Sequence, residues 1–409
     1  MINPDENPQK QPPLSKQDFI NLLDQFLEAE QAPDDWTYRV PAAMRVVFSV
    51  DELQPAGQPL DEAASQAIQR VISESRVVYG ANGQPLWQLE SQARRETFEH
   101  LGTPQALRQA LEQNPAAQRG PLQEMLEAYI RAERPPLNEL SLEQLEASLL
   151  VCDWLAGLLP DLPEPADLRR RLNRARLLKP FRFLAGEHFQ GRSKELAALR
   201  LYVGVIDPAN IPAEDHPDLP PDPSQPFLLF GPGGMGKSTL VAKFILQHAE
   251  LDEAQRFPYA YIDFNRRDLD IRDPVSILLE ATRQLSIQFP IDEDRWQKLA
   301  QEWRSSRQYM DRGFSKTAQF TKQSVDYRLA EWERYVSQFI YELGGLLQSG
   351  RPFLLVMDTF EELQYHRPEY LAGLWRFLLA LKDGAQNLRV VISGRSDLPR
   401  EFSLPAGNR

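Results

Sequence analysis

The sequence predicts an α/β protein whose second half is a parallel sheet flanked by helices, preceded by a mostly helical region. Three observations point there. Four short apolar runs, Phe227–Phe230, Tyr259–Asp263, Phe353–Met357 and Arg389–Ile392, have the length and near-continuous hydrophobicity of strands buried on both faces. Segments of helical periodicity lie between them, as crossovers between parallel strands require. The first run also passes through a glycine-rich turn directly into an amphipathic helix beginning near Leu240.

From the N-terminus, residues 1–13 are polar and proline-rich and read as a disordered tail. Residues 14–103 read as a small α+β module. Phe19, Leu22, Leu23, Phe26 and Leu27 recur at helical spacing between Leu14 and Glu30. Ala63, Ala64, Ala67, Ile68 and Val71 form the apolar side of a second helix, Asp61–Ser75. Arg76–Tyr79 and Leu86–Leu89 flank Gly80-Ala-Asn-Gly83, a hairpin pattern, and a helix over Ser91–Leu101 follows. Helix, hairpin, helix suggests a winged-helix-like module, and an unrelated small α+β domain fits the same pattern. Asp61, Glu62 and Glu74 against Arg70 suit a protein partner better than a DNA groove.

Residues 104–185 read as helices punctuated by prolines, including a strongly apolar one over Leu142–Leu159. Another, Ala166–Leu178, carries Arg169, Arg170, Arg171, Arg174 and Arg176, which form either a phosphate patch or a solvated face paired with acids. Seven prolines between Asp207 and Pro226 preclude a helix and predict an extended surface connection.

Composition narrows the function. The apolar fraction is 42% and the charged fraction 25%, ordinary for a globular protein. A net charge of -12 repels phosphate backbones, so nucleic acid is not the expected partner. The single cysteine, Cys152, lies in an apolar stretch and reads as a buried, inert thiol. His100, His188, His216, His248 and His366 show no metal-ligand spacing. No signal peptide and no apolar run of bilayer length is present, which predicts a cytoplasmic protein with no membrane contact.

The glycine-rich turn reads Gly231-Pro-Gly-Gly-Met-Gly-Lys-Ser-Thr239. Strand, Gly-x4-Gly-Lys-Ser, helix is the order of a P-loop, in which backbone N–H groups and a helix N-terminus cradle phosphates. Gly231, Pro232, Gly233, Gly234, Met235, Gly236, Lys237, Ser238 and Thr239 are the candidate nucleotide-binding residues. Lys237 supplies the point charge on the terminal phosphates and Ser238 a hydroxyl for Mg²⁺, making ATP or ADP with Mg²⁺ the expected cofactors. Asp358 ends an apolar run downstream, where a Walker B carboxylate would hold a magnesium-bound water. Arg395 lies just past the last run and, in a parallel sheet, on the same edge.

The motif order resembles the STAND branch of the AAA+ superfamily, which includes the NACHT and NB-ARC ATPases. Phe189-Gln-Gly-Arg-Ser-Lys-Glu-Leu196 is similar to the Phe-x-Gly-Arg-x-x-Glu-Leu signature that precedes the P-loop in that group. The resemblance implies that Phe189, Gly191 and Arg192 lie near the adenine, and that Arg395 is a sensor arginine. Glu361 and Glu362, three and four positions after Asp358, are similar to the extended Walker B of NACHT domains. Position 359 is Thr, where hydrolytic AAA+ members carry glutamate, so the general base is Glu361 or Glu362 and turnover is slow or partner-dependent.

The resemblance covers about residues 186–400 and implies an ATPase domain of the ASCE/AAA+ kind over 186–409 that is incomplete at its C-terminus. With fourteen residues after Arg395, the chain reads as an N-terminal fragment of a longer protein. It implies a nucleotide-dependent conformational switch in signalling or assembly, with protein partners at the N-terminal module and a nucleotide-dependent homo-oligomer. An origin-recognition-like, DNA-associated ATPase and a non-hydrolysing nucleotide-binding scaffold are the alternatives. The stretch from Gln288 to Gln323, with Trp296 and Trp303, is expected to form a lid or partner surface.

Overall fold

The computed structural model describes residues 35–54, 61–80, 83–186, 189–218, 221–251, 255–267, 269, 274–314, 322–347, 350–366, 371–385 and 387–396. The predicted tail, the helix Leu14–Glu30 and the residues after Ser396 lie outside these. The chain divides into two compact units, one up to Arg169 and one from Arg170 onward. The second unit begins upstream of residue 186, where the sequence reading starts the ATPase domain.

The first unit holds helices α1 (Trp36–Met44) and α2 (Glu62–Ser73), the antiparallel hairpin β1 (Ser75–Tyr79) and β2 (Pro85–Leu89), and helices α3 (Ser91–Leu101), α4 (Pro104–Gln113), α5 (Pro121–Arg131) and α6 (Leu142–Trp154). Asp61 and Thr103 cap α2 and α4 through their side chains, and a Ser141–Gln144 capping box starts α6. α6 is shorter than the apolar pattern predicts. It stops at Trp154, and Gly157 follows in a left-handed turn at φ 79°. The fully buried Arg94 bonds the carbonyls of Ala43, Arg45 and Val46 at the C-terminal end of α1 and sits 4.7 Å from the Trp154 ring. Cys152 is buried, and burial pushes its thiol up to about 11.

Helix α7 (Pro165–Ala185) continues through Pro180, past the predicted end at Leu178. Leu177, Leu178, Phe181 and Ala185 are buried, and that apolar stripe carries the helix across the missing proline N–H. α8 (Ser193–Val203) follows. The proline-rich connection contains only short 3-10 turns at Pro208–Asn210 and Ala213–Asp215 among its described residues. Then come β3 (Phe227–Phe230), α9 (Lys237–Ala249), β4 (Tyr259–Asp263), α10 (Pro274–Gln288), α11 (Glu293–Phe314), α12 (Lys322–Leu347), β5 (Phe353–Asp358), α13 (Glu361–His366), α14 (Leu371–Gly384) and β6 (Leu388–Gly394).

The four strands form one all-parallel sheet in the order β3-β6-β5-β4. Side chains alternate between two separate cores, as a strand period of two dictates. Leu228, Ala260, Ile262, Phe353, Leu355, Met357, Val390 and Ile392 pack with α10, α11, α12 and α14. Phe227, Leu229, Tyr259, Tyr261, Leu354, Val356 and Val391 pack with α7, α8 and α9. The outer edge of β4 is closed by side-chain amides of α10. Gln284 accepts from Tyr261 N at 2.8 Å and donates to Tyr261 O at 2.7 Å; Gln288 does the same for Tyr259 at 3.1 and 2.7 Å.

Trp296 and Trp303 are both buried in the α10–α14 core, against Phe339 and Tyr335 respectively. Trp303 also donates its indole N–H to Gln338 at 2.8 Å. These rings are therefore the inner face of α11 rather than a partner surface, because its apolar positions fall on one helical stripe. Among the described residues no helix is long and apolar enough to cross a membrane.

Candidate functional site

The C-terminal edge of a parallel sheet gathers whatever follows each strand, and here it gathers the residues singled out above. β3 leads into Gly231–Gly236, and α9 starts at Lys237. Gly231, Gly234 and Gly236 have φ of 151°, 79° and 77°, the left-handed region that side chains disfavour. Among the described residues, the backbone N–H groups of Gly233 to Gly236 make no close backbone hydrogen bond, and Gly233, Gly234 and Met235 are exposed. An anion in this turn would meet those donors and the positive end of α9. Lys237 folds back on the loop, its ammonium donating to Gly231 O at 2.8 Å and Pro232 O at 3.1 Å. Ser238 and Thr239, half-buried, occupy the first turn of α9.

Two strands away, Asp358 ends β5 with only 2% of its surface exposed. By alternation it points to the side of the sheet that α9 covers. Its Oδ1 accepts the Thr359 N–H at 2.9 Å and its Oδ2 accepts the Tyr261 hydroxyl at 2.5 Å. Burial, then the charge of Asp358, push the Tyr261 hydroxyl well above the usual phenol range, so it remains a donor. Thr359 has φ 52°, unusual for a β-branched residue. Its hydroxyl bonds Asp263 Oδ1, lies 2.7 Å from the Asp358 carbonyl and accepts the Asn265 N–H at 3.2 Å.

Arg395 connects the two halves of the site. Its guanidinium carbon lies 3.8 Å from where a Cβ on Gly233 would sit, and its Nε donates to Glu361 Oε1 at 3.0 Å. Glu361 Oε2 is buried without a hydrogen-bond partner. Glu362 gives its N–H to the Thr359 carbonyl at 3.0 Å. Among the described residues no hydrogen bond or ion pair joins Lys237 to Asp358. β6 lies between β3 and β5, so the strands that lead to the two residues run two strand widths, about 10 Å, apart.

Of the preceding motif, Phe189 packs against the α7–α9 core, while Gly191 and Arg192 both take left-handed φ of 73° and 59°. Arg192 donates to the carbonyl of Met235, which brings this segment to the glycine-rich loop. Three neighbours escaped the sequence reading. Asp263 ends β4 in register with Asp358, and the matching strand-ending aspartate was its available signal. Tyr261 and the buried, unpartnered Ser393 hydroxyl carried none, because a strand tyrosine or serine is ordinary in sequence.

The residues present suit a phosphate ester with a hard cation: a donor-lined turn, an ammonium, and the oxygens of Ser238 and Asp358. Elsewhere an open depression of about 580 Å³ is bordered by Trp303, Arg334 and Gln338. Comparison with protein-family models, curated proteins and solved structures finds no significant match to this chain.

Proposed function

We propose that the chain binds a nucleoside triphosphate with magnesium at residues 231–239 and acts as a nucleotide-dependent switch of the STAND type. The observation that carries this reading is Arg395, lying over Gly233 and paired with Glu361. A terminal phosphate in the loop would compete with Glu361 for that guanidinium, so the segment after Asp358 would feel whether a third phosphate is present. The order β3-β6-β5-β4 supports the same reading, since it sets the end of β6 between the glycine-rich loop and Asp358.

In this assignment Gly233 to Gly236 supply backbone donors and Lys237 the charge on the outer phosphates. Ser238 and Asp358 hold magnesium, and Arg192 fixes the loop through Met235. Magnesium would neutralise charge between the phosphates. Glu361, whose Oε2 has no hydrogen-bond partner, is the acceptor assigned to a water proton once Arg395 turns toward a phosphate and opens the carboxylate. A non-hydrolysing scaffold is favoured by the Glu361–Arg395 pair itself, which ties up the base, and by Thr359 directly after Asp358.

Calorimetric titration of ATP and ADP, with magnesium and with chelator, tests the proposal. Wild type should bind both, and Lys237→Ala should lose roughly tenfold to a hundredfold in affinity with unchanged circular dichroism. Equal affinity in the two proteins would contradict the assignment.

A further inference from the structure

Asp358 is the residue through which the proposed site would reach a metal, yet both of its carboxylate oxygens are engaged within the protein. Oδ1 takes the Thr359 N–H and Oδ2 the Tyr261 hydroxyl, and the side chain is almost wholly enclosed. Tyr261 is held for this contact from two sides. Gln284 brackets its backbone N–H and carbonyl, and the Phe181 ring meets its ring edge-on at 5.0 Å and 90°. The hydroxyl is thus placed by packing.

We propose that Tyr261 is a positioning residue that caps Asp358 and sets the magnesium requirement of the nucleotide site. With the cap closed, the loop can take a nucleotide through Lys237 and its amides alone. Each carboxylate oxygen keeps a second lone pair, but with 2% of Asp358 exposed a metal-bound water can reach Oδ2 only by taking the place of the Tyr261 hydroxyl. Magnesium binding therefore works against a short charge-assisted hydrogen bond. Removing the hydroxyl favours the metal twice: the competitor goes, and the enclosed carboxylate is left short of a donor. The inference rests on the nucleotide reading above.

The test compares wild type, Tyr261→Phe, Asp358→Asn and the double variant by calorimetry with ADP, in chelator and across a magnesium series. Tyr261→Phe should leave ADP affinity in chelator within about twofold and lower the magnesium half-saturation by about tenfold, the worth of one charged hydrogen bond. The same change in the Asp358→Asn background should do nothing. An unchanged or raised magnesium requirement in Tyr261→Phe, or an equal effect in both backgrounds, overturns the proposal. Failure of wild type to bind ADP under any condition overturns instead the nucleotide reading on which it stands. Should Tyr261→Phe not fold, 3-fluorotyrosine at position 261 gives the answer in the intact chain. Its ¹⁹F resonance should move when magnesium joins bound ADP, and a stationary line refutes the cap.

Discussion

Arg395 Nε donates to Glu361 Oε1 at 3.0 Å while the same guanidinium covers Gly233. Its side chain is 62% exposed, so the ion pair contributes at most about 1 kcal/mol to folding. The pair matters as a point of competition. Arg395→Ala should leave the denaturation midpoint nearly unchanged and weaken ATP relative to ADP by about tenfold, a charged contact's worth. Equal losses for the two nucleotides would show that the arginine does not reach a third phosphate.

Glu361→Gln keeps a carbonyl oxygen for Arg395 and removes the acceptor for a proton. Nucleotide affinity should hold, and any turnover should fall by at least about a hundredfold, the usual worth of a general base. A fall of that size in Glu362→Gln, with Glu361→Gln active, would move the role one residue along the chain.

Thr359 combines a left-handed backbone with a hydroxyl bound to Asp263. Thr359→Val keeps the strained shape and loses the hydroxyl, and should destabilise the chain by about 2 kcal/mol. Thr359→Asn accepts the backbone shape and restores a polar atom, so its loss should stay below about 1 kcal/mol. Chemical denaturation of the two variants gives the ordering, and a reversed order would count against strain at this position.

His248 predicts a pH dependence. Its Nε2 lies 2.8 Å from Phe257 O, its Nδ1 is buried without a partner, and burial lowers its pKa from 6.5 to about 4. A folded pKa below the unfolded one means the unfolded chain binds the extra proton first. The stability linked to this group is therefore complete above about pH 6.5 and is lost as pH falls toward 4. A shift of that size corresponds to about 3 kcal/mol at most. Urea unfolding between pH 7 and pH 4.5 should show a shallower slope in His248→Gln than in wild type.

Much of the sheet was legible because its strands are short, nearly continuous apolar runs; β5 is buried throughout, whereas Phe227–Phe230, expected to be buried on both faces, is only half-buried and ends on the exposed Phe230. Phe227–Phe230 and Tyr259–Asp263 keep their predicted limits, while β5 and β6 run one or two residues further, to Asp358 and Gly394. The glycine-rich loop was legible because few other turns need that many glycines beside a lysine. Partners across space were not. Nothing local marks Gln284 as the cover of an open strand edge, or Tyr261 as the neighbour of Asp358. The end of the helix expected at Leu178 was not legible either: a proline at 180 disfavours continuation locally, and the buried stripe around Phe181 outweighs it.

The two-sided wiring of β5 makes the chain unevenly tolerant of length changes. An extra residue at the exposed Gly350, ahead of the strand, would be absorbed as slack. One inserted between Phe353 and Met357 would rotate everything beyond it by half a pleat, sending the Asp358 carboxylate toward Trp375 and Phe377 and lifting Met357 into the space beneath α9. Composition would hardly change, yet the acid would face grease and the loop would face a thioether. Insertions and deletions, more than substitutions, are what this strand is built to refuse.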